Sequence, residues 1–422
     1  MELIHKELGD GINLYLDVTD KFKTVTVNLY VQNKLGDEAT WYALIPSVLK
    51  RGTSTLKTYK DMVKYLEMLY GTTMAVSVYK KGERHFQQYR LELPQEEYVE
   101  ENVFEKGVKF LYELVFEPFT QDGAFLKEYV LQEKEVQKNL IESRINDKTK
   151  YAVDRCYEEM CKGEPFAIFE LGKKEDLDLI DEKNLFEYYK KCIDTLPVDI
   201  YVVGNVNPEY AEEVFRKYFN LRRKEVLNIP FITDVRKEVK EVKYVTEELD
   251  VNQGKLTLGF RTNVSPGSEE YYSLLVYSTV LGGGPFSKLF MNVREKASLA
   301  YYAYSRLERF KGLMVISSGI EVENYSKALD IILKEVGEME KGNISDYEFD
   351  SAKKSLYTSL NAIKDNATSK ADYYLSQKIA GTNLGIEEFI KKIEKVSKED
   401  VVEVSKKVKL DTVYFMRNKK EV

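Results

Sequence analysis

Histidine is the scarcest functional residue in this chain, with two in 422 positions, His5 and His85. They lie far apart, and neither has a second histidine at helical spacing. A histidine zinc site or a Ser-His-Asp triad could therefore be built only from one or both of them. A polar strand residue is the simpler reading of each. Cysteine is nearly as rare. Cys156, Cys161 and Cys192 form an odd set without Cys-x-x-Cys spacing, which excludes a disulfide framework and a zinc knuckle and leaves buried free thiols. No apolar run approaches the roughly 20 residues that a membrane-spanning helix needs. The opening Met1-Glu2-Leu3-Ile4-His5-Lys6 lacks the basic and then apolar regions of a signal peptide, so a cytoplasmic location is expected. An excess of positive charge is missing too. With 63 Lys+Arg against 70 Asp+Glu and a net charge of -7, the composition speaks against a nucleic-acid binder.

What the chain does have is apolar material, 43% hydrophobic and 12% aromatic, and a length that favours two or three domains. It is also written twice, at a shift of about 230 residues. Thr24-Val25-Thr26-Val27-Asn28-Leu29-Tyr30-Val31 alternates like a strand, and Gly254-Lys255-Leu256-Thr257-Leu258-Gly259-Phe260-Arg261 does the same. A polar turn follows each, and then an apolar-faced helix that ends near a glycine, Gly52 in one copy and Gly282 in the other. The match continues through a second helix (59–70 against 287–296), strands near 73–78 and 301–307, and helices at 102–115 against 325–338 and 123–145 against 345–363. Each copy closes on a helix and a strand, 199–204 and 411–417. A charged connector with one proline, Pro230, separates them. The domains expected are 1–225 and 241–422, joined by a linker at 226–240. Strands and helices mix without regular βαβα alternation, so each half should be an α+β sandwich with a mostly antiparallel sheet packed with helices.

The second copy holds the most informative stretch. The run Leu281-Gly282-Gly283-Gly284-Pro285-Phe286-Ser287-Lys288-Leu289-Phe290 is followed by Arg294-Glu295-Lys296 and then Tyr301. Arginine is a permanent cation with a planar fork of donors, and a tyrosine hydroxyl donates one directional bond. Together they suit a peptide carbonyl on its way to a tetrahedral oxyanion. The pair alone cannot hydrolyse anything. The triple glycine lacks P-loop spacing and a leading strand, so it reads as a helix end and close-approach turn rather than a phosphate cradle.

The repeat, the helix ending Leu49-Lys50-Arg51-Gly52-Thr53, the Glu133-Lys134-Glu135-Val136 run, the Val202-Val203-Gly204-Asn205-Val206 strand and the Gly282-to-Tyr301 block together resemble the pitrilysin/insulinase clan of zinc peptidases. Within it they resemble the bacterial half-size proteins related to mitochondrial processing peptidase subunits. The resemblance covers essentially the whole chain and implies two homologous domains of the metalloprotease-like, LuxS/processing-peptidase type. Active members carry His-x-x-Glu-His on the first helix of the first domain and a further Glu ligand on the later long helix. Counted back from Gly52-Thr53, that motif falls here on Ala43-Leu44-Ile45-Pro46-Ser47. The two histidines become Ala43 and Ser47, and the base becomes Pro46. An ungapped reading from Glu133 puts the distal ligand at Leu140, with Glu142 the nearest acid. Neither alanine nor leucine binds zinc, and proline cannot relay a proton. Pro46 should also make the helix start late or kink. The expectation is no metal, no cofactor and no autonomous peptidase activity, and so no catalytic residue of its own.

In the family, an Arg/Tyr pair of the second domain binds the substrate carbonyl opposite the zinc. That pair corresponds to Arg294 and Tyr301, both intact. The block departs at Ala297-Ser298, where a glycine usually takes the second place, and at Lys288, where arginine is common. Some relatives divide the work between a zinc-bearing chain and an Arg/Tyr-bearing chain, and this one resembles the second type. The resemblance thus implies a non-catalytic subunit that binds peptide and pairs with a zinc-bearing homologous subunit. The alternative is an inert scaffold or peptide-binding homodimer of the same fold. The strand Gly71-Thr72-Thr73-Met74-Ala75-Val76-Ser77-Val78 falls where the family has an edge strand that takes up extended substrate. Neither nucleic acid nor membrane is an expected partner.

Overall fold

The computed structural model describes residues 3–99, 102–223, 225–230 and 235–419. Of the charged connector, Lys224 and residues 231–234 lie outside the described residues. The chain forms two compact units. One takes residues up to 142, 168–230 and 366–375; the other takes 143–167, 235–365 and 376 onward.

The first sheet contains β1 (Ile4–Gly9), β2 (Ile12–Val18), β3 (Thr24–Lys34), β4 (Thr73–Lys81) and β5 (Arg84–Pro94). After a two-residue hairpin, β6 (Thr120–Gln121) and β7 (Ala124–Phe125), β8 (Val198–Gly204) completes it. The second sheet contains β9 (Lys243–Glu248), β10 (Gly254–Arg261), β11 (Ala300–Glu308), β12 (Leu313–Ile320) and β13 (Lys409–Arg417). Their orders are β1-β2-β8-β3-β5-β4 and β11-β12-β10-β13-β9. Read in opposite directions, the two orders coincide, with β1 as an extra edge strand in the first. In each sheet one pair is parallel, β2 with β8 and β13 with β9, and the other neighbours are antiparallel. The mostly antiparallel α+β architecture expected from the sequence is the one observed, and the duplication extends to strand order and direction.

Alternation decides which side of the first sheet receives helices. Val25, Val27, Leu29 and Val31 of β3 join Leu91 and Leu93 of β5 in one core with residues from helices Ala39–Leu49, Val103–Phe116, Glu182–Thr195 and Pro208–Phe219. Local chemistry sets the helix starts. Asn207 caps Pro208–Phe219 with proline at its first turn, while Ser345/Glu348 and Ser397/Asp400 form reciprocal capping boxes on Asp346–Ile363 and Lys398–Ser405. No helix among the described residues is long and apolar enough to cross a membrane.

The opposite face of each sheet is covered by a helix from elsewhere in the chain. In the first unit, the beginning of helix Ala367–Ile379 is held by polar pairs. Lys370 Nζ lies 2.6 Å from Asp17 Oδ2, the Tyr374 hydroxyl donates to the same oxygen at 3.1 Å, and Lys81 Nζ reaches Asp372 at 2.6 Å. In the second unit, helix Lys148–Met160 inserts Ala152, Cys156 and Met160 against Leu313, Tyr414 and Met416. These two helices were not expected from the repeat. A cut at 226–240 separates the strands of the two sheets but not the helices that close them. The connector is also less solvated than its composition suggests. Arg223 donates to the backbone oxygens of Asp10, Ile193 and Leu196, and Arg84 holds the Ile229 carbonyl at 2.7 Å.

Behind helix Lys148–Met160, Glu164 anchors the turn to the second sheet. It accepts from Arg261 at 2.7 Å, from Lys311 at 2.8 Å and from Lys237, while Arg261 also donates to Asp411 at 3.0 Å and to the Met160 carbonyl at 2.8 Å. Burial alone would raise the Glu164 pKa, but the hydrogen bonds from Arg261, Lys237 and Lys311 outweigh it and hold the carboxyl at about 2. Because the folded value lies below the ordinary 4.5, this contribution to stability is complete above pH 4.5 and fades as pH falls toward 2. Glu164→Gln should lower stability at neutral pH and flatten its fall across that acid window, as read by urea denaturation at a series of pH values.

Candidate functional site

The first candidate face lies on helix Ala39–Leu49. Pro46 neither delays nor ends this helix, which runs from Ala39 through Leu49 with the proline inside it. Proline has no N–H to give the carbonyl four residues back, so the Tyr42 oxygen would be left bare in the core. Gln87 of β5 fills that need, its Nε2 donating to Tyr42 O at 2.8 Å. The tyrosine is fixed further by its own hydroxyl, which donates to the Val31 carbonyl at 2.9 Å. His85 packs against the Tyr42 ring at 4.7 Å. Burial pushes its imidazole down to about 3, so it stays neutral at physiological pH. His5 is an exposed strand residue that bonds Asn13 and stacks on Tyr15.

Helix Lys127–Glu142 packs alongside and corrects the expected position of the distal acid. Leu140 is 52% exposed, and Glu142 pairs with Lys174 at 3.3 Å on the surface. The residues turned toward the first helix are Glu133 and Gln137. Gln137 Nε2 donates to the Thr40 carbonyl at 3.0 Å and to Leu171 O at 2.8 Å. Glu133, only 3% exposed, faces Arg51 Nη1 at 3.3 Å and Lys50 Nζ at 4.0 Å. A guanidinium thus supplies the countercharge that this buried carboxylate requires. Among the described residues no group of three or more His, Cys, Asp and Glu side chains is arranged to hold a metal. Ala43 and Pro46 offer no donor and Glu133 is already engaged, so zinc does not fit here.

The second candidate face belongs to the other unit. Gly282 is the last residue of helix Glu270–Gly282, and a Cβ there would lie 2.2 Å from Ser305 N and 2.8 Å from Tyr304 C. The glycine lets the helix end lie directly on β11, and neither it nor Gly52 has the left-handed backbone of a glycine cap. Lys288 follows, buried, with its ammonium 3.0 and 3.2 Å from the two oxygens of Glu348. The helix expected over 287–296 is π-helical over Phe290–Lys296, a form that is rare and concentrated at functional sites.

Arg294 sits on that turn. Its guanidinium lies over the Phe290 ring at 4.6 Å, and Nε approaches Glu295 only to 3.8 Å. Ser298 then adopts φ +53°. The ladder between β11 and β12 pairs Ala300 with Ile320 and Tyr302 with Gly319. Tyr301 is therefore the extra residue of a β-bulge, a device that re-aims a side chain at a strand end. It is 80% exposed. Three departures from regular backbone thus fall within the dozen residues that carry the predicted pair, and both members keep their polar groups toward solvent.

Comparison with known proteins identifies the family. Residues 180–356 match the family model described as the peptidase M16 inactive domain. A Bacillus subtilis protein named probable inactive metalloprotease YmfF is 38% identical over 98% of this chain and 97% of its own length. The chain belongs to the M16 (pitrilysin/insulinase) peptidase family. A more distant M16 relative, the uncharacterized zinc protease YmxG of B. subtilis, is 25% identical over 55% of this chain and 56% of its own. The crystal structure of a conserved protein from Enterococcus faecalis V583 superposes with a TM-score of 0.91 at 29% identity, covering all of both chains.

Two substitutions test these M16 faces. Arg51→Ala should cost about 2–3 kcal/mol by leaving the buried Glu133 without its main countercharge. Adding Glu133→Gln should recover most of that loss in a chemical-denaturation double-mutant cycle. Ser298→Gly removes a left-handed non-glycine residue, and should raise stability by roughly 0.5–1 kcal/mol after the entropy of the unfolded glycine is counted. A thermal melt of the variant checks it.

Proposed function

We propose that this chain is the non-catalytic subunit of a heterodimeric zinc peptidase, one that binds peptide and presents Arg294 and Tyr301 to the zinc site of a homologous partner. One observation carries this reading. The emptied metal face has been closed with Arg51, Glu133 and Gln137, whereas the Arg/Tyr face keeps a solvent-directed tyrosine and a loosely held arginine on irregular backbone. A face kept only for stability would gain from burying or pairing these groups.

The division of chemistry follows from the side chains. The partner supplies the metal, the bound water and the general base. As that water adds to the scissile carbonyl, negative charge grows on the carbonyl oxygen. The Arg294 guanidinium and the Tyr301 hydroxyl then donate toward it, more strongly in the transition state than in the substrate. Neither group has to gain or lose a proton for this role.

Co-purification of the native protein followed by mass spectrometry should identify a partner that retains His-x-x-Glu-His. The isolated chain should cleave no peptide and carry no stoichiometric zinc, and activity should appear when the two are mixed. Arg294→Ala and Tyr301→Phe should each lower kcat/KM of the complex by about 100-fold while leaving its assembly and melting temperature unchanged. A fully active complex of either variant would overturn the assigned role and leave the inert scaffold or homodimer as the better account.

A further inference from the structure

One row of the second sheet is built in a way that packing alone does not require. Tyr302 of β11, Gly319 of β12 and Lys255 of β10 lie side by side across the strands. A Cβ on Gly319 would lie 2.6 Å from Tyr302 Cε1 and 2.8 Å from Gln253 Oε1, so glycine is what lets the ring and the amide lean over the strand. Lys255 Nζ donates to that amide oxygen at 3.0 Å and lies 5.4 Å from the centre of the Tyr302 ring. Lys255 is partly buried and, among the described residues, has no ion-pair partner. The acid whose charge it feels, Asp147, caps helix Lys148–Met160 and accepts from Lys150 N at 2.9 Å. Burial accordingly lowers the lysine pKa, and Asp147 opposes this only in part.

The surroundings add to the positive charge. The Tyr302 hydroxyl donates to Thr149 Oγ1 at 3.3 Å, which sets this row beside the first turn of helix Lys148–Met160. Helix N-termini attract negative charge, yet this turn holds no acid and instead carries Lys148 and Lys150. Deeper on the same face, two residues along β10, Thr257 is wholly buried and its hydroxyl meets no hydrogen-bond partner among the described residues. A cation without a counter-ion, a helix start without an acid and an unanswered hydroxyl thus share one face of the sheet.

From this arrangement we propose that Lys255, Tyr302 and the first turn of helix Lys148–Met160 form a binding site for a carboxylate. A carboxylate supplies the countercharge that a partly buried ammonium otherwise lacks, and its two oxygens accept from Nζ and from a hydroxyl together. One partly buried ammonium matches one negative charge, which favours a carboxylate over a phosphate dianion. Tyr301 is the bulged residue between this row and the last pair of the ladder, Ala300 with Ile320. The ligand is therefore the C-terminal carboxylate of a bound peptide, held at the strand end that carries Tyr301. That last identification rests on the peptide-binding role proposed above; the carboxylate site itself does not.

The test uses the isolated full-length chain at neutral pH and three probes at millimolar concentration: acetyl-tetra-alanine with a free C-terminus, the same peptide as its C-terminal amide, and N-acetylalanine. Brief reductive methylation followed by peptide mass spectrometry reads Lys255 directly, and calorimetry reads affinity. The free-acid peptide should slow labelling of Lys255 and bind about tenfold more tightly than the amide, the worth of one charge-assisted bond. Lys255→Met should abolish that preference without lowering the melting temperature, because the folded chain gives this lysine no ion pair to lose. Equal binding of acid and amide, or labelling of Lys255 that the acid leaves unchanged, would overturn the site. Protection by N-acetylalanine as strong as by the peptide would overturn the C-terminal assignment and make a small free carboxylate the ligand. None of these readouts involves the partner subunit or hydrolysis, so a failed carboxylate site and a failed heterodimer are told apart.

Discussion

The central strands of both sheets are buried on both faces, and the rest of the architecture follows from that. Every residue of β8 and of β12 is buried, so helices are needed on two sides of each sheet. The repeat supplies one layer from its own segments. The other layer is a single helix on each sheet, and the two helices come from segments that a simple division of the sequence would give to the wrong half. Burial on the second face is mixed in character, because residues such as Asp17, Asn28, Gln32 and Asp199 lie there with the tyrosines. Hydrophobic contact alone cannot hold a helix on such a surface. Charged pairs at Asp17, Asp372 and Glu164 do much of that work, each justified by the cost of leaving a buried polar group unpaired.

The same accounting explains how the face between helices Ala39–Leu49 and Lys127–Glu142 is held together without a metal. A carboxylate buried at Glu133 would be uncompensated without a cation beside it, and proline inside helix Ala39–Leu49 leaves a bare carbonyl. Both debts are met locally, the first by Arg51 and Lys50 and the second by Gln87. The Arg/Tyr face shows the reverse tendency. Its backbone departs from regular geometry at the π-helical turn, at Ser298 and at the bulge before Tyr302, and its polar groups remain turned outward. Local strain retained beside exposed donors is the pattern expected where geometry serves binding rather than stability.

Much of this was legible in the chain itself. Alternation in 24–31 and 254–261 marked β3 and β10, and the offset between them located β4 with β11 and β8 with β13, but not β5 with β12 or β2 with β9. Pro46 was legible as a residue that offers no donor at the position where the resemblance puts the base. Its effect on the helix was not, because the rescue by Gln87 depends on a strand far along the sequence. Leu140 was misplaced for a related reason: counting along a helix cannot tell which face turns inward, and the neighbouring helix selects Glu133 and Gln137. The glycines at 52 and 282 were recognised as a repeat, but spacing could not show that close approach rather than left-handed backbone requires Gly282.

The sequence by itself determined the duplication, the α+β class, the absence of a histidine zinc site and the presence of an Arg/Tyr pair in the second copy. These are properties of residue identity and of periodicity, which survive without knowing what packs on what. Only the tertiary structure decided which helix closes the second face of each sheet, which carboxylate meets Arg51, how a helix tolerates Pro46, and that Tyr301 stands on a bulge. Each of those depends on a partner distant in sequence, and burial makes such partners decisive because an unpaired polar group has no water to turn to.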